Sequence, residues 1–161
     1  MAGMPGLYFH SLFGSRGDRA GADASGIPRR INRQKVARPS LEAELADPTS
    51  LRALVWTGLR KLLSARRSNC AFHPCGRQEI RSIHSRLFAV ERTAPDRQGQ
   101  VLCIHNISQE LVETRVKWGS PIFSRHWRRL AGSGDMFAES GNHFTARLAP
   151  YEFIWVGDQV T

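Results

Sequence analysis

Cysteine is scarce in this sequence, with three residues in 161. Cys70, Cys75 and Cys103 are too few and odd in number for a disulfide framework, which points to a reducing, cytoplasmic setting. Long apolar runs are also missing. Nowhere do about 18 apolar residues follow one another, so no transmembrane helix, and no membrane partner, is expected. The opening MAGMPGLYFHSLFG is apolar but has no basic stretch before it and no small-residue cleavage site after it, and it is not read as a signal peptide. There is no G-x-G-x-x-G, no Walker loop and no G-x-S-x-G elbow, and no internal repeat. Ser11 and Ser15 have no His–Asp pair near them in sequence that would suggest a triad.

Acidic side chains are outnumbered, 14 against 23 Lys and Arg, giving a formal charge of +9 and a pI near 10.7. That balance raises the question of nucleic acid. The basic residues, however, are spread along the chain. Local clusters occur only in SGIPRRINRQK (25–35), SARRS (64–68) and SRHWRRL (124–130), and no stacked-aromatic motif accompanies them. A non-catalytic basic module for nucleic acid or another anionic partner is the alternative function; nucleic acid is not the favoured partner. Hydrophobic residues at 41% and charged residues at 23% are those of a globular chain with enough length for a core.

Leu7, Tyr8, Phe9, Leu12 and Phe13 form a nearly continuous apolar run that ends at Gly14, as a buried parallel strand does. GSRGDRAGADASGIPRR (14–30) reads as a long loop. Helices follow: one opening at Ser40 as N-cap, then one restarting at Asp47-Pro48 with Leu51, Leu54, Val55, Leu59, Leu62 and Leu63 on one face. Arg52, Arg60, Lys61 and Arg67 lie off that face, and Arg66 and Arg67 complement the dipole of the last turn. After NCAFHPCGRQ (69–78) the period drops to two. EIRSI, RLFAVER, QVLCIHNIS, ELVETRV, HWRRLAG, HFTARL and YEFIWV predict about seven antiparallel strands, with turns at APDRQG (94–99), WGSP (118–121) and SGDMFAESGN (133–142). Phe88, Val90, Leu102, Ile104, Phe153 and Trp155 are expected to face the core of this module.

Few residues suggest chemistry. Cys70, His73 and Cys75, with Cys103 and His105 farther on, match no structural zinc spacing, so no metal site is expected. His105 and Asn106 are expected to be structural, with the ring satisfied by backbone. Asp18 and Asp23 sit on a Gly- and Ala-rich loop that would not hold two carboxyls across a glycosidic bond, so they read as solvated. No catalytic centre is visible. The arginines of GIPRRINRQK are more suggestive. On a loop after a barrel-type strand, a guanidinium fork is placed to donate to sugar hydroxyls, phosphate or carboxylate.

PGLYFHSLFGSRGD, GIPRRINRQK, the helix ending LLSARRSNCAFHP, the strand VLCIHNIS and the closing APYEFIW together resemble the C-terminal part of the sucrose phosphorylases and their glucosylglycerate phosphorylase relatives. These belong to glycoside hydrolase family 13, the α-amylase superfamily. The resemblance runs from about Gly3 to Val156; I-N-R at Ile31–Arg33 and A-F-H-P at Ala71–Pro74 are its most specific parts. It implies an α+β fragment: residues 1–68 as the last strand, loop and helices of a (β/α)8 catalytic barrel, and 69–161 as an all-β antiparallel C-terminal sandwich domain. It implies a retaining phosphorylase that moves a glucosyl unit from an α-glucoside to phosphate. Inorganic phosphate is the co-substrate, with no organic cofactor. The nucleophile, the acid/base and the transition-state-stabilising carboxylate of such enzymes lie on earlier barrel strands, so the chain carries no catalytic residue and is expected to be inactive alone, as a partial copy that starts near strand eight. One binding residue carries over: Arg29, four positions before Arg33, as a contact to the glucosyl unit of the donor. Arg30 stands where many sucrose phosphorylases have an acidic residue, which would suit an anionic acceptor such as glycerate.

Overall fold

The computed structural model describes residues 3–118, 127–139 and 141–158. It divides into two compact units, Pro5–Leu63 and, with the first four residues, Ser64–Thr161.

In Pro5–Leu63 the expected opening strand is instead a short helix, α1 (Phe9–Leu12). A strand needs a neighbour to take its backbone hydrogen bonds, and no strand is described before Arg77. The amides therefore bond locally: Ser11 and Leu12 donate to the Tyr8 carbonyl at 3.0 and 3.2 Å, and Ser15 to that of His10 at 2.9 Å. Gly14 ends the turn at φ 56°, where a Cβ would stand 2.8 Å from Val55 Cγ2. The stretch read as a loop holds a second helix, α2 (Arg19–Ser25), capped by Asp18, whose carboxylate accepts from the Gly21 amide at 2.9 Å. Asp18 is thus a structural cap rather than a solvated charge. Gly26 closes α2 in the left-handed conformation at φ 66°, and Pro28 opens a 3-10 turn over Pro28–Asn32.

α3 (Arg38–Ala46) begins before Ser40, with Pro39 in its first turn and no side-chain cap. α4 (Leu51–Arg67) starts later than Pro48. Asp47 accepts from the amide and hydroxyl of Thr49, and Ser50 Oγ accepts from the Ala53 amide at 3.1 Å, so the Asp-Pro step makes a turn and Ser50 the cap. The apolar face of α4 does not all turn inward: Ala53 is buried, whereas Leu51 and Leu54 are exposed. Arg52, placed off the apolar face by its spacing, is nonetheless only 12% exposed and pairs with Glu44 at 2.9 Å.

Among the described residues, the second unit has eight strands. They are β1 (Arg77–Arg81), β2 (Leu87–Thr93), β3 (Gln100–Asn106), β4 (Val112–Lys117), β5 (Trp127–Gly132), β6 (Asp135–Ala138), β7 (His143–Leu148) and β8 (Phe153–Asp158). One more strand appears than the pattern predicted, because β6 lies inside SGDMFAESGN, a stretch read wholly as turn. The turn at 94–99 is present, closed by the Ala94 amide donating to the Gly99 carbonyl at 2.8 Å. The expected turn at 118–121 and the start of the SRHWRRL cluster fall largely outside the described residues. All pairings are antiparallel, in a five-stranded sheet of order β1-β2-β3-β8-β5 and a three-stranded sheet of order β4-β7-β6.

The main core joins Leu87, Ala89, Leu102, Ile104, Ile154 and Val156 of the larger sheet to Val112, Val116, Phe144, Ala146 and Leu148 of the smaller. The larger sheet is also covered on its other face. There Val101 and Cys103 meet Ala71 and Phe72 of a 3-10 turn, Cys70–Phe72. The six expected core residues therefore divide. Leu102 and Ile104 point to the main core, while Val90 pairs with Cys103 and is buried on the opposite face. Phe88 is 40% exposed, and Phe153 and Trp155 are half-buried on that same opposite face.

Candidate functional site: a basic cleft beside the 3-10 turn

Within Pro5–Leu63, a cleft of about 380 Å³ is lined by Tyr8, His10, Ser15, Arg16, Ile31 and Asn32, among others. Its walls are α1 and the 3-10 turn, and hydrogen bonds hold them together. Tyr8 Oη donates to the Asn32 carbonyl at 2.6 Å, and the Asp18 amide to the Ile31 carbonyl at 2.7 Å. Ser15 Oγ accepts from Arg52 Nη1 at 2.8 Å and lies 3.0 Å from His10 Nδ1. The low exposure of Arg52 follows from this: its guanidinium bonds Glu44, Ser15 and, at 3.4 Å, the Phe13 carbonyl.

Chemically, the cleft offers a phenol, an imidazole, a hydroxyl, an amide side chain and a guanidinium. No carboxylate lines it among the described residues. Such a wall can hold hydroxyl groups or an anion through directed donors. It cannot by itself break a glycosidic bond, which takes two carboxyl groups on opposite sides of the sugar.

Of the arginines singled out in the sequence, Arg29 stands exposed on the 3-10 turn, while Ile31 and Asn32 of the I-N-R motif form the cleft wall. Arg30 is half-exposed, its Nε 4.0 Å from Asp18 Oδ2. The thiols are not gathered. Cys70 and Cys75 are exposed and Cys103 is buried, its thiol pushed up to about 12 by burial. His73 Nδ1 accepts from the Cys75 amide at 3.1 Å, and no group of three metal-ligating side chains occurs among the described residues. The His105 ring stacks on Phe153 with centroids 5.4 Å apart, and burial lowers its pKa.

Two buried polar residues anchor the second unit: Asn106, expected to be structural, and Arg92, which the sequence reading did not single out. Asn106 Nδ2 donates to the carbonyls of Glu110, Leu148 and Ala149 at 2.7, 3.1 and 2.9 Å, pinning the end of β3. Arg92, fully buried, donates from Nε to the Ala71 carbonyl at 3.3 Å and from Nη2 to that of His73 at 2.6 Å. Parity along β2 was the available signal, since Arg92 shares a face with Val90.

No family model matches the chain. It is 38% identical to the glucosylglycerate phosphorylase of Spirochaeta thermophila over 97% of its own length and 27% of that protein's. It is 35% identical to that of Allomeiothermus silvanus over 98% and 25%, and 32% identical to that of Escherichia coli over 96% and 25%. The chain thus spans about a quarter of the curated relatives it matches. Among solved structures, the α-amylase of H. orenii superposes with a TM-score of 0.52 at 20% identity, over 74% of this chain and 22% of that one. Trehalulose synthase MutB from Pseudomonas mesoacidophila gives 0.50 at 18%, over 72% and 19%. These likenesses extend to fold alone.

Proposed function

We propose that the chain, similar to the glucosylglycerate phosphorylases over nearly its whole length, supplies the closing part of such an enzyme of the α-amylase superfamily. In this reading, residues 1–68 complete a (β/α)8 barrel as its last strand and helices, and 69–161 form its C-terminal β domain. The segment of α1, helical here, would on this reading pair as a strand once the preceding barrel strands stand beside it.

The whole enzyme would transfer a glucosyl unit from an α-glucoside to inorganic phosphate with retention. The reaction needs two carboxylic groups close to the sugar, one to attack and one to shuttle the proton. This chain's share is binding: Arg29 on the 3-10 turn donating to hydroxyls of the donor sugar, and Arg30 favouring an anionic acceptor such as glycerate. The observation that carries the reading is the 38% identity over 97% of the chain, which includes the turn that bears both arginines.

Two constructions test it. The isolated chain, given glucosylglycerate and phosphate, should release no glucose 1-phosphate. The same chain joined to the remainder of the Spirochaeta thermophila relative, in place of the matching quarter, should release it. A folded chimera without phosphorolysis, or an active isolated chain, would refute the proposal.

A further inference from the structure

A neutral His10 carries its proton on one of two ring nitrogens, and the bonds around it decide which. The deciding residue is Arg52, which α4 turns inward. Its Nε donates to Glu44 at 2.9 Å and its Nη1 to Ser15 Oγ at 2.8 Å. A guanidinium has donors and no acceptor, so Ser15 Oγ accepts that bond and its own proton is left to donate elsewhere. Among the described residues the other partner of Ser15 Oγ is His10 Nδ1, at 3.0 Å. The charge on Arg52 also polarises the hydroxyl, making it a stronger donor and a poorer acceptor for a second N–H. Nδ1 is therefore the acceptor, and the proton of the neutral ring sits on Nε2. Edge contacts with Tyr8 and Phe9, at 5.3 and 5.4 Å between centroids, hold the ring in place. The Ser15 amide, bonded to the His10 carbonyl at 2.9 Å, keeps the two residues together.

That leaves Nε2–H as a donor without a protein partner among the described residues, on a ring that lines the cleft. Arg16 lines the same cleft, is exposed, and has no carboxylate paired with it among the described residues. No described wall residue is acidic. Two groups that can only donate, one of them charged, with no acidic neighbour, select an anion over a cation or a neutral sugar. We propose that the cleft of this chain binds a small oxyanion, a phosphate or the carboxylate of a hydroxy acid, through His10 Nε2–H and Arg16. Arg52, acting through Ser15, is the positioning residue that fixes the His10 tautomer. The site rests on the geometry of the cleft and is independent of the reading of the chain as part of a phosphorylase.

The test uses the full 161-residue chain, isotope-labelled, at a pH of about 8, above the ordinary histidine range. Salt at about 0.15 M screens non-specific attraction to a basic protein. Long-range proton–nitrogen correlation spectra read the tautomer. Titrations with inorganic phosphate, glycerate and, as the uncharged control, glucose read binding at the side-chain nitrogens of His10 and Arg16. The expected result is His10 in the Nε2–H form and saturable binding of phosphate, glycerate or both; which of them binds identifies the source of the oxyanion. His10→Ala and Arg16→Ala should each weaken binding by about tenfold or more. Arg16 is exposed, so its variant stays folded. Ser15→Ala should raise the share of the Nδ1–H form. His10→Gln, whose amide nitrogen reaches about as far as Nε2, should recover part of the loss, and His10→Asn should not. A ring predominantly in the Nδ1–H form overturns the site. So does the absence of saturable anion binding, binding indifferent to both alanine variants, or glucose held as tightly as the anions. The enzymatic reading fails separately, by a folded chimera without phosphorolysis, which leaves anion binding by the isolated chain untouched.

Discussion

Arg92 carries a charge into a site that solvent does not reach, and two carbonyl oxygens hold it there. The carbonyls of Ala71 and His73 belong to the 3-10 turn covering the outer face of the larger sheet, so the guanidinium fastens that cover to β2. Its Nη1 has no partner, which subtracts from what the other two bonds contribute. Arg92→Ala should cost about 2–4 kcal/mol through the cavity and two orphaned carbonyls. Arg92→Met, which keeps the bulk and discards the unpaired nitrogen, should cost less. Urea midpoints of both variants check this; equal losses would mean that the bonds, not the volume, carry the effect. Charge was the misleading signal at this scale. Arg52 and Arg92 look in sequence like the other arginines, yet both are turned inward, because each has backbone carbonyls in reach that composition does not reveal.

Strands were more legible than helices, for a physical reason. A strand with one face on a core and the other toward solvent alternates in polarity, and the period-two segments after residue 78 became β1 to β5, β7 and β8. What alternation did not say is that the larger sheet is covered on both faces. Phe88, Phe153 and Trp155 were therefore assigned to one core, when they lie across the sheet from Leu102 and Ile104. The apolar run at Leu7–Phe13 was ambiguous by nature, since a short run apolar on both sides fits a buried strand or a helix equally. β6 escaped because a four-residue edge strand between Gly134 and Glu139 carries mostly turn-forming neighbours. The bulge between β5 and β8 gives a prediction at this scale. Gly132 has φ 95°, and a Cβ there would run into the Phe153 carbonyl. Gly132→Ala should destabilise the sheet unit by about 1–3 kcal/mol, read as a lowered thermal midpoint. An unchanged midpoint would mean that the bulge relaxes freely.

At the scale of the molecule, a sheet unit with a closed core is joined to a helical unit with almost none. The sequence showed the binding candidates and their kinship through GIPRRINRQK, but not the cleft, which needs α1 and the 3-10 turn brought together by Tyr8 and Asp18. Arg29 is the residue on which the account turns. As a donor to sugar hydroxyls it would act through bonds whose geometry lysine cannot reproduce; as an exposed side chain it has little packing to lose. The measurement is kcat/KM for glucosyl transfer to phosphate, alongside the thermal midpoint, in the joined chimera bearing Arg29→Lys and Arg29→Ala. A fall of about ten- to a hundredfold in both variants, equivalent to roughly 1.5–3 kcal/mol, with an unchanged midpoint, is the predicted result. Unaltered kinetics in both would contradict the account and leave Arg29 as solvated surface.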